Sequence, residues 1–434
     1  MPSRLFTNLL PAPRVAAAWL STCLLALPLA ANAQQPDDSD LPVAEIQAFA
    51  EVFERIKRAY VDEVDDATLL QNAMRGMLNE LDPHSAYLDA DAFRDMQESA
   101  RGEFGGVGVE IGKRDGQLMV ITPLDDTPAA RAGIMARDAI LRVDDTPTEG
   151  LSLQEALEVM RGDIGTQLEL TILRDGESAP RNITLTRETI STRSVKHDLL
   201  SPGYGYLRIS QFQSNTGEQV NEALATLAAT GELKGLVLDL RNNPGGVLQA
   251  AVDVSDSFLE SGLVVYTKGR LPGIDQRFSA TATTAAPDIP LVVLINDGSA
   301  SAAEIVAGAI QDQRRGVVMG TKSFGKGSVQ QLIPLGENEG LKLTTALYYT
   351  PNGRSIQARG ITPDVEVVRG RLEVSENASQ RLREADLDGH LKGNNDVPEY
   401  NILSTRLEND YQLGEALNLL KALDVLGERA PNRP

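Results

Sequence analysis

At 434 residues, with 42% apolar and 24% charged side chains, the chain is long enough for two to four domains and a sizeable core. Its 61 acidic against 41 basic residues leave a net charge of −20, which argues against nucleic acid and anionic lipid surfaces as partners. The single cysteine, Cys23, lies near the N-terminus.

That N-terminus has a secretory pattern. MPSRLFTNLLPAPR carries Arg4 and Arg14 and no acid, VAAAWLSTCLLALPLA is a short apolar run, and ANA ends in small residues. Cleavage is expected after Ala33, and the apolar run is shorter than the roughly 20 residues a membrane span needs. Loss of residues 1–33 would remove Cys23 and take the net charge from −20 to −22. No disulfide, thiol nucleophile or thiolate metal site is then expected. A periplasm-like compartment suits such a chain.

After a polar linker, residues 34–100 form an N-terminal segment expected to be helical. AEIQAFAEVFERIKRAY and ATLLQNAMRGMLNELDP place apolar residues three and four apart. Residues 101–188 change texture: FGGVGVEIG, GQLMVITPL, AILRVDDTP and QLELTILRDG are strand-turn pieces around one helix, SLQEALEVMRG. They predict a small β-rich domain. Residues 189–368 then carry apolar strands alternating with helices, clearly so from YGYLRISQF at 204 onward. That alternation predicts an α/β layer fold. The rest, 369–434, reads as a polar, largely helical segment with a possible role in oligomer contacts.

Ligands in such sheets favour the loops after strands. Two loops qualify, DLRNNPGG at 239–246 and NDGSASAAE at 296–304. In the second a strand runs into a helix, so a hydroxyl there would stand exposed beside the helix N-terminus. Ser301 has a plain alternative, since Ser301-Ala-Ala-Glu304 is also a capping box, though Ser299 could cap instead. A serine nucleophile needs a base. His84, His197 and His390 are all expected outside the α/β core. A lysine can replace histidine when burial lowers its pKa. Lys326 stands between Gly325 and Gly327 in GTKSFGKGS, after an apolar strand. Those nine residues also come close to a phosphate-binding loop, but Gly327 replaces the required hydroxyl and SVQQLIPL reads as a strand rather than a helix.

Together these segments resemble the carboxyl-terminal processing proteases, the S41 serine peptidases. LDPHSAYL, FGGVGVEIG, DLRNNPGG, NDGSASAAE, FGKGSVQQ and YYTPNGRSIQARGITPDV occur in that order, and the lysine follows Ser301 by 25 residues. The resemblance implies a crotonase/ClpP-like layered peptidase core with an inserted PDZ domain and helical N- and C-terminal segments. It implies Ser301 as nucleophile, Lys326 as general base and Gln330 as the residue holding the lysine. The oxyanion hole would combine the Ala302 N–H with Gly245 or Gly246. In the PDZ domain Gly106, Val107, Gly108 and Val109 would form the loop that caps a peptide carboxylate, with the peptide added as a strand. The implied activity is an endopeptidase that recognises exposed C-terminal tails of exported proteins, in a homo-oligomer and with a possible adaptor protein. No cofactor and no metal are implied. The competing expectation is a periplasmic PDZ scaffold without catalysis.

Overall fold

The computed structural model describes residues 41–114, 116–282, 284–286, 288–370 and 409–429. The expected signal peptide with its cleavage site, and His390, lie outside the described residues.

A first compact unit ends at Leu69. It contains helix α1 (Val43–Ala59) and the start of α2 (Asp66–Asn79). In α1, Glu45 in the first turn and Lys57 and Arg58 in the last complement the helix dipole. Lys57 Nζ reaches an Asp66 carboxylate oxygen at 2.8 Å. No residue of α1 is buried, and Val43, Ile46, Phe49, Val52 and Ile56 form an exposed apolar stripe at helical spacing.

The second unit begins at Leu70 and holds the rest. The turn after α2 leads into a short strand, β1 (Ala86–Leu88), then α3 (Ala90–Arg101), so the N-terminal segment is not helical throughout. Strand β2 (Glu103–Gly106) comes after α3. Next come β3 (Val109–Arg114), β4 (Gln117–Pro123), α4 (Pro128–Arg131), β5 (Ala139–Val143), β6 (Thr146–Pro147), α5 (Leu153–Met160), β7 (Gln167–Leu173) and β8 (Arg181–Thr186). Among the described residues these strands make one sheet in the order β3-β4-β5-β7-β8, with β6 on β5. Period-two alternation turns Leu168, Leu170 and Ile172 of β7 into a core with Leu118, Ile140 and Ala156. Strand β3 lies at the edge of this sheet. Strand β9 (Glu188–Ser191) pairs back onto β2, so an antiparallel ribbon closes the domain.

The larger domain is built on a six-stranded sheet: β10 (Val195–Ser201), β11 (Tyr204–Ile209), β12 (Gly235–Asp239), β15 (Leu291–Ile295), β16 (Val317–Gly320) and β19 (Val365–Glu366). Of these six, β10 alone runs antiparallel to its neighbour; the other pairings are parallel. Its parallel strands connect through α6 (Thr216–Ala229), α7 (Leu248–Asp256) and α8 (Ala302–Asp312). Leu236, Leu238, Val293 and Ile295 join a core with residues of these helices. Val237, Val292 and Leu294 point the other way, against Leu413, Ala416, Leu417 and Leu420 of α9 (Tyr411–Arg429). Cover on both faces is why these strands read as continuous apolar runs rather than alternating ones. Each buried Leu, Ile or Val contributes about 1.5–3 kcal/mol.

A second sheet contains β13 (Leu263–Gly269), β14 (Arg277–Ser279), β17 (Ser328–Leu335) and β18 (Glu339–Tyr349), with β1 added beside β18. Helix α8 contacts β16 on one side and β13 on the other, and every residue from Ala302 to Ile310 is buried. A helix apolar on nearly every face suits such a position, and Glu304 is the charged residue within its buried span. His197 departs from expectation: it lies within the core domain, on β10 opposite Leu207 of β11. Its side chain is exposed, because β10 is an edge strand with a mostly solvent-facing pattern.

Candidate active site

Two loops at the C-terminal ends of β12 and β15 are fastened together by side-chain amides. Asn296 Oδ1 accepts from the Asn242 N–H at 2.8 Å, and Asn296 Nδ2 donates to Asn242 Oδ1 at 2.8 Å. The Ala300 N–H donates to the Asn243 carbonyl at 2.9 Å. Ser299 does not cap α8: its hydroxyl accepts from the Asn296 N–H and donates to the Leu240 carbonyl. Ser301 is the residue at the helix entrance, at φ 57° and ψ −115°. A non-glycine residue there costs on the order of 1–3 kcal/mol and persists only when its surroundings impose it. Gly245, at φ 99°, is part of those surroundings, since a Cβ on it would fall 2.6 Å from Ser301 Cβ.

The Ser301 hydroxyl is buried and meets the Tyr348 hydroxyl at 2.7 Å. Its own N–H donates to Glu304 Oε2 at 2.8 Å, so the glutamate half of the expected capping box is in place. Ala302 is the first residue of the helix, where an N–H has no intrahelical acceptor. The Gly245 N–H is occupied by Asn243 Oδ1 at 2.9 Å. Gly246 bridges Phe212 in parallel pairing, with the Val247 N–H donating to the Phe212 carbonyl.

Lys326 sits in the loop between β16 and β17. Its flanking glycines are sterically required. A Cβ on Gly327 would meet the Gln357 nitrogen at 2.3 Å, and one on Gly325, at φ 95°, the Gly360 nitrogen at 3.0 Å. The lysine loop therefore lies flat against the 356–360 segment, and the Ala358 N–H donates to the Gly325 carbonyl. The loop runs directly into strand β17, with no helix N-terminus to receive a phosphate. Burial holds the Lys326 amine below the ordinary lysine pKa, the nearby Lys342 charge adds to this, and Asp82 opposes it.

Ser301 and Lys326 are thus brought to one site but are not hydrogen-bonded to each other; both backbone N–H groups converge on Glu304. Gln330 does not bond the lysine either. Its Nε2 donates to Ser328 Oγ at 2.8 Å and Thr344 Oγ1 at 3.3 Å.

The LDPHS turn is a neighbour that sequence reasoning did not place. Asp82 accepts from the Ser85 N–H and hydroxyl, the His84 N–H and Thr344 Oγ1. Burial works against the Asp82 carboxylate, yet these donors outweigh it and hold its pKa below the usual range. Burial, then the charge of Lys326, holds His84 below the ordinary histidine value. The turn is seated here because β1 pairs with β18, matching Ala86 to Lys342.

In the small domain Gly106 belongs to β2, opposite Glu188, and Val107 and Gly108 make the turn into β3, which starts at Val109. The Val107 carbonyl accepts from the Ala129 N–H, and the Gly108 carbonyl from the Leu124 N–H and the Thr127 hydroxyl. Gly108 is at φ 76°, where a Cβ would lie 2.2 Å from Thr127 Cβ. Among the described residues no cluster of His, Cys, Asp and Glu is suited to a metal ion.

The chain is similar to several known proteins. Residues 203–367 match peptidase family S41, residues 105–185 a PDZ domain, and residues 26–92 the N-terminal domain of the activating protease CtpB. A carboxy-terminal-processing protease of Bartonella bacilliformis is 43% identical over 94% of each chain. A carboxyl-terminal-processing protease of Synechocystis sp. is 41% identical over 71% of this chain and 73% of that one. Among solved structures, a photosystem II D1 C-terminal processing protease is 32% identical, with a TM-score of 0.44, over 75% of this chain and 93% of the other. The chain belongs to peptidase family S41, as a PDZ-containing serine peptidase of the carboxy-terminal-processing type that acts on protein substrates.

Proposed function

We propose that the chain is an exported endopeptidase of the periplasm that captures the C-terminal tails of its substrates and cuts them with a Ser301–Lys326 dyad. The observation that carries this reading is the convergence of a strained, buried serine and a partly buried lysine on one carboxylate. The export half rests on the sequence of residues 1–33.

In this mechanism the Ser301 hydroxyl leaves Tyr348 and turns toward Lys326. The neutral amine takes the hydroxyl proton as Oγ attacks the substrate carbonyl, then returns it to the leaving amine, and water hydrolyses the acyl-enzyme. The N–H groups of Ala302 and Gly246 stabilise the tetrahedral oxyanion. Gly246 is favoured over Gly245 because the Gly245 N–H is already given to Asn243. Loss of one such donor elsewhere costs about 10²–10³ in rate. Gln330 is the third member of this reading, holding the lysine, although its amide here is turned to Ser328 and Thr344.

Tail capture uses the outer edge of β3. Among the described residues β3 is the end strand of its sheet, paired with β4, and an end strand is where a peptide strand can be added. The Val107 and Gly108 carbonyls are tied inward, which leaves the N–H side of the turn to the peptide carboxylate. The exposed apolar stripe of α1 suits pairing with a second copy of the chain.

The test is cleavage of an unfolded protein by wild type beside Ser301→Ala and Lys326→Arg. Both variants should bind peptide tails normally yet lose about 10⁴-fold or more in cleavage, since guanidinium cannot act as a base near neutral pH. Near-normal cleavage by Ser301→Ala would remove the nucleophile assignment. Amidating the substrate C-terminus should weaken binding, and unchanged affinity would remove the carboxylate loop.

A further inference from the structure

Glu304 is fully buried, and its carboxylate receives four hydrogen bonds, all from donors. Oε1 accepts from Ser323 Oγ at 2.5 Å and the Gly325 N–H at 2.7 Å; Oε2 accepts from the N–H of Ser301 at 2.8 Å and of Lys326 at 2.9 Å. Three of the four donors are backbone N–H groups, which cannot accept a carboxyl proton, and Ser323 Oγ already accepts from the Ile361 N–H at 2.7 Å. The four donors favour the ionised carboxylate, with no cation among its hydrogen-bond partners, while burial opposes it and pushes its pKa up. A helix cap needs only one or two of these bonds and can stay in water.

We infer that Glu304 is a positioning residue: it sets the distance between nucleophile and base by fixing the backbone of both. This rests on the proposed roles of Ser301 and Lys326. The carboxylate ties together two loops, the entrance of α8 and the FGKG turn, which the Phe324 N–H also joins by donating to the Ser299 carbonyl at 3.0 Å, and it holds the Ser301 main chain through the Ser301 N–H.

The test compares Glu304→Gln and Glu304→Asp with wild type, with Ser301→Ala in parallel, after folding is checked by circular dichroism and thermal unfolding. Glutamine keeps the shape but turns an NH₂ toward two donors; aspartate keeps the charge but is one methylene too short to span both loops. Folded Glu304→Gln should lose at least 100-fold in kcat with KM within threefold. The acid limb of its pH–rate profile should also move, because the lysine backbone is no longer fixed. Glu304→Asp should lose about tenfold, and it serves as the readout if the glutamine variant does not fold. A merely structural role would lower thermal stability and leave kcat and the acid limb of the folded enzyme in place, and that result overturns the inference. If Ser301→Ala stays active, the dyad itself fails, a separate outcome from an inactive Ser301→Ala beside fully active Glu304 variants.

Discussion

The carboxylates of Asp239 and Glu304 are both fully buried at the ends of core elements and are held in opposite ways. Asp239, at the end of β12, accepts from Arg241 Nε at 2.9 Å and Nη2 at 2.7 Å, from the Tyr206 hydroxyl at 2.9 Å, and has Arg208 Nη1 at 3.3 Å. Arg241 continues to Asp410 and Gln412 at the start of α9. Burial opposes ionisation of Asp239, but Arg241 outweighs it and holds the pKa below the usual range. Glu304 has neutral donors alone, and its pKa is raised. One charge is matched by charge and fastens a helix to the sheet. The other is held by dipoles and fastens the two loops of the proposed dyad. The difference teaches where stability and activity should separate under substitution.

Asp239→Asn should have the largest effect on stability. Breaking a buried pair while leaving the arginines in place costs about 3–5 kcal/mol. Asp410 still shares Arg241, so the low end applies, and a urea titration reads it. Labelling of Ser301 by a fluorophosphonate should stay within twofold in protein that remains folded; collapse of labelling there would break the separation. The pH dependence has a defined sign. A depressed carboxylate contributes its full stability above the ordinary aspartate pKa of about 3.9, and loses it as pH falls through the lower folded value. Wild type should show that acid loss and Asp239→Asn should not.

What the sequence made legible was local. The apolar strands entering polar loops and the glycines around Lys326 all belong to short contiguous stretches, and they placed Ser301, Lys326 and Gly245 in one region. Gln330 shows the limit. A spacing of four residues from Lys326 has no fixed meaning on a strand, and the irregularity between Val329 and Gln330 in β17 sends the amide to Ser328 and Thr344. Glu304 was legible as a helix cap, yet its bonds to Gly325 and Lys326 cross 21 and 22 residues that no local periodicity connects. The LDPHS turn reaches the site through β1 pairing with β18 and through Thr344, whose N–H donates to the Ser85 hydroxyl across 259 residues. His197 reads as lying outside the core because β10 is exposed and lacks the apolar run of its neighbours.

A smaller effect sharpens the catalytic side of the comparison. Tyr348 lies on β18, burial pushes its pKa up to about 12, and its hydroxyl stays protonated beside Ser301 at any pH of interest. A hydrogen bond between two neutral hydroxyls contributes about 1 kcal/mol, so Tyr348→Phe should free Oγ and speed fluorophosphonate labelling by roughly fivefold. Thermal stability should fall by about the same 1 kcal/mol. A tenfold slowing would instead place the Tyr348 hydroxyl among the groups that stabilise the transition state.

The smallest expected effect is electrostatic. Lys326 is held below the ordinary lysine pKa first by burial and then by Lys342, which lies on β18 opposite Leu332 of β17. In the proposed dyad only the neutral amine can accept the serine proton, so activity should rise with pH through the lysine pKa and level off above it. Lys342→Ala removes a like charge, lets the Lys326 pKa climb, and moves the acid limb of kcat/KM toward alkaline pH. On the limb, activity should drop by about two- to threefold, the effect of one partly screened charge, while the alkaline plateau stays unchanged. Removing the opposing charge with Asp82→Asn should move the limb the other way. Two shifts of the same sign would show that these residues act through the packing of the turn and not through their charges. Opposite shifts would tie the limb to a group that feels both charges, and His84 feels the same two. The pair is therefore repeated in a His84→Gln background. Opposite shifts that persist there assign the limb to the Lys326 amine, whereas a limb that no longer responds assigns it to the imidazole.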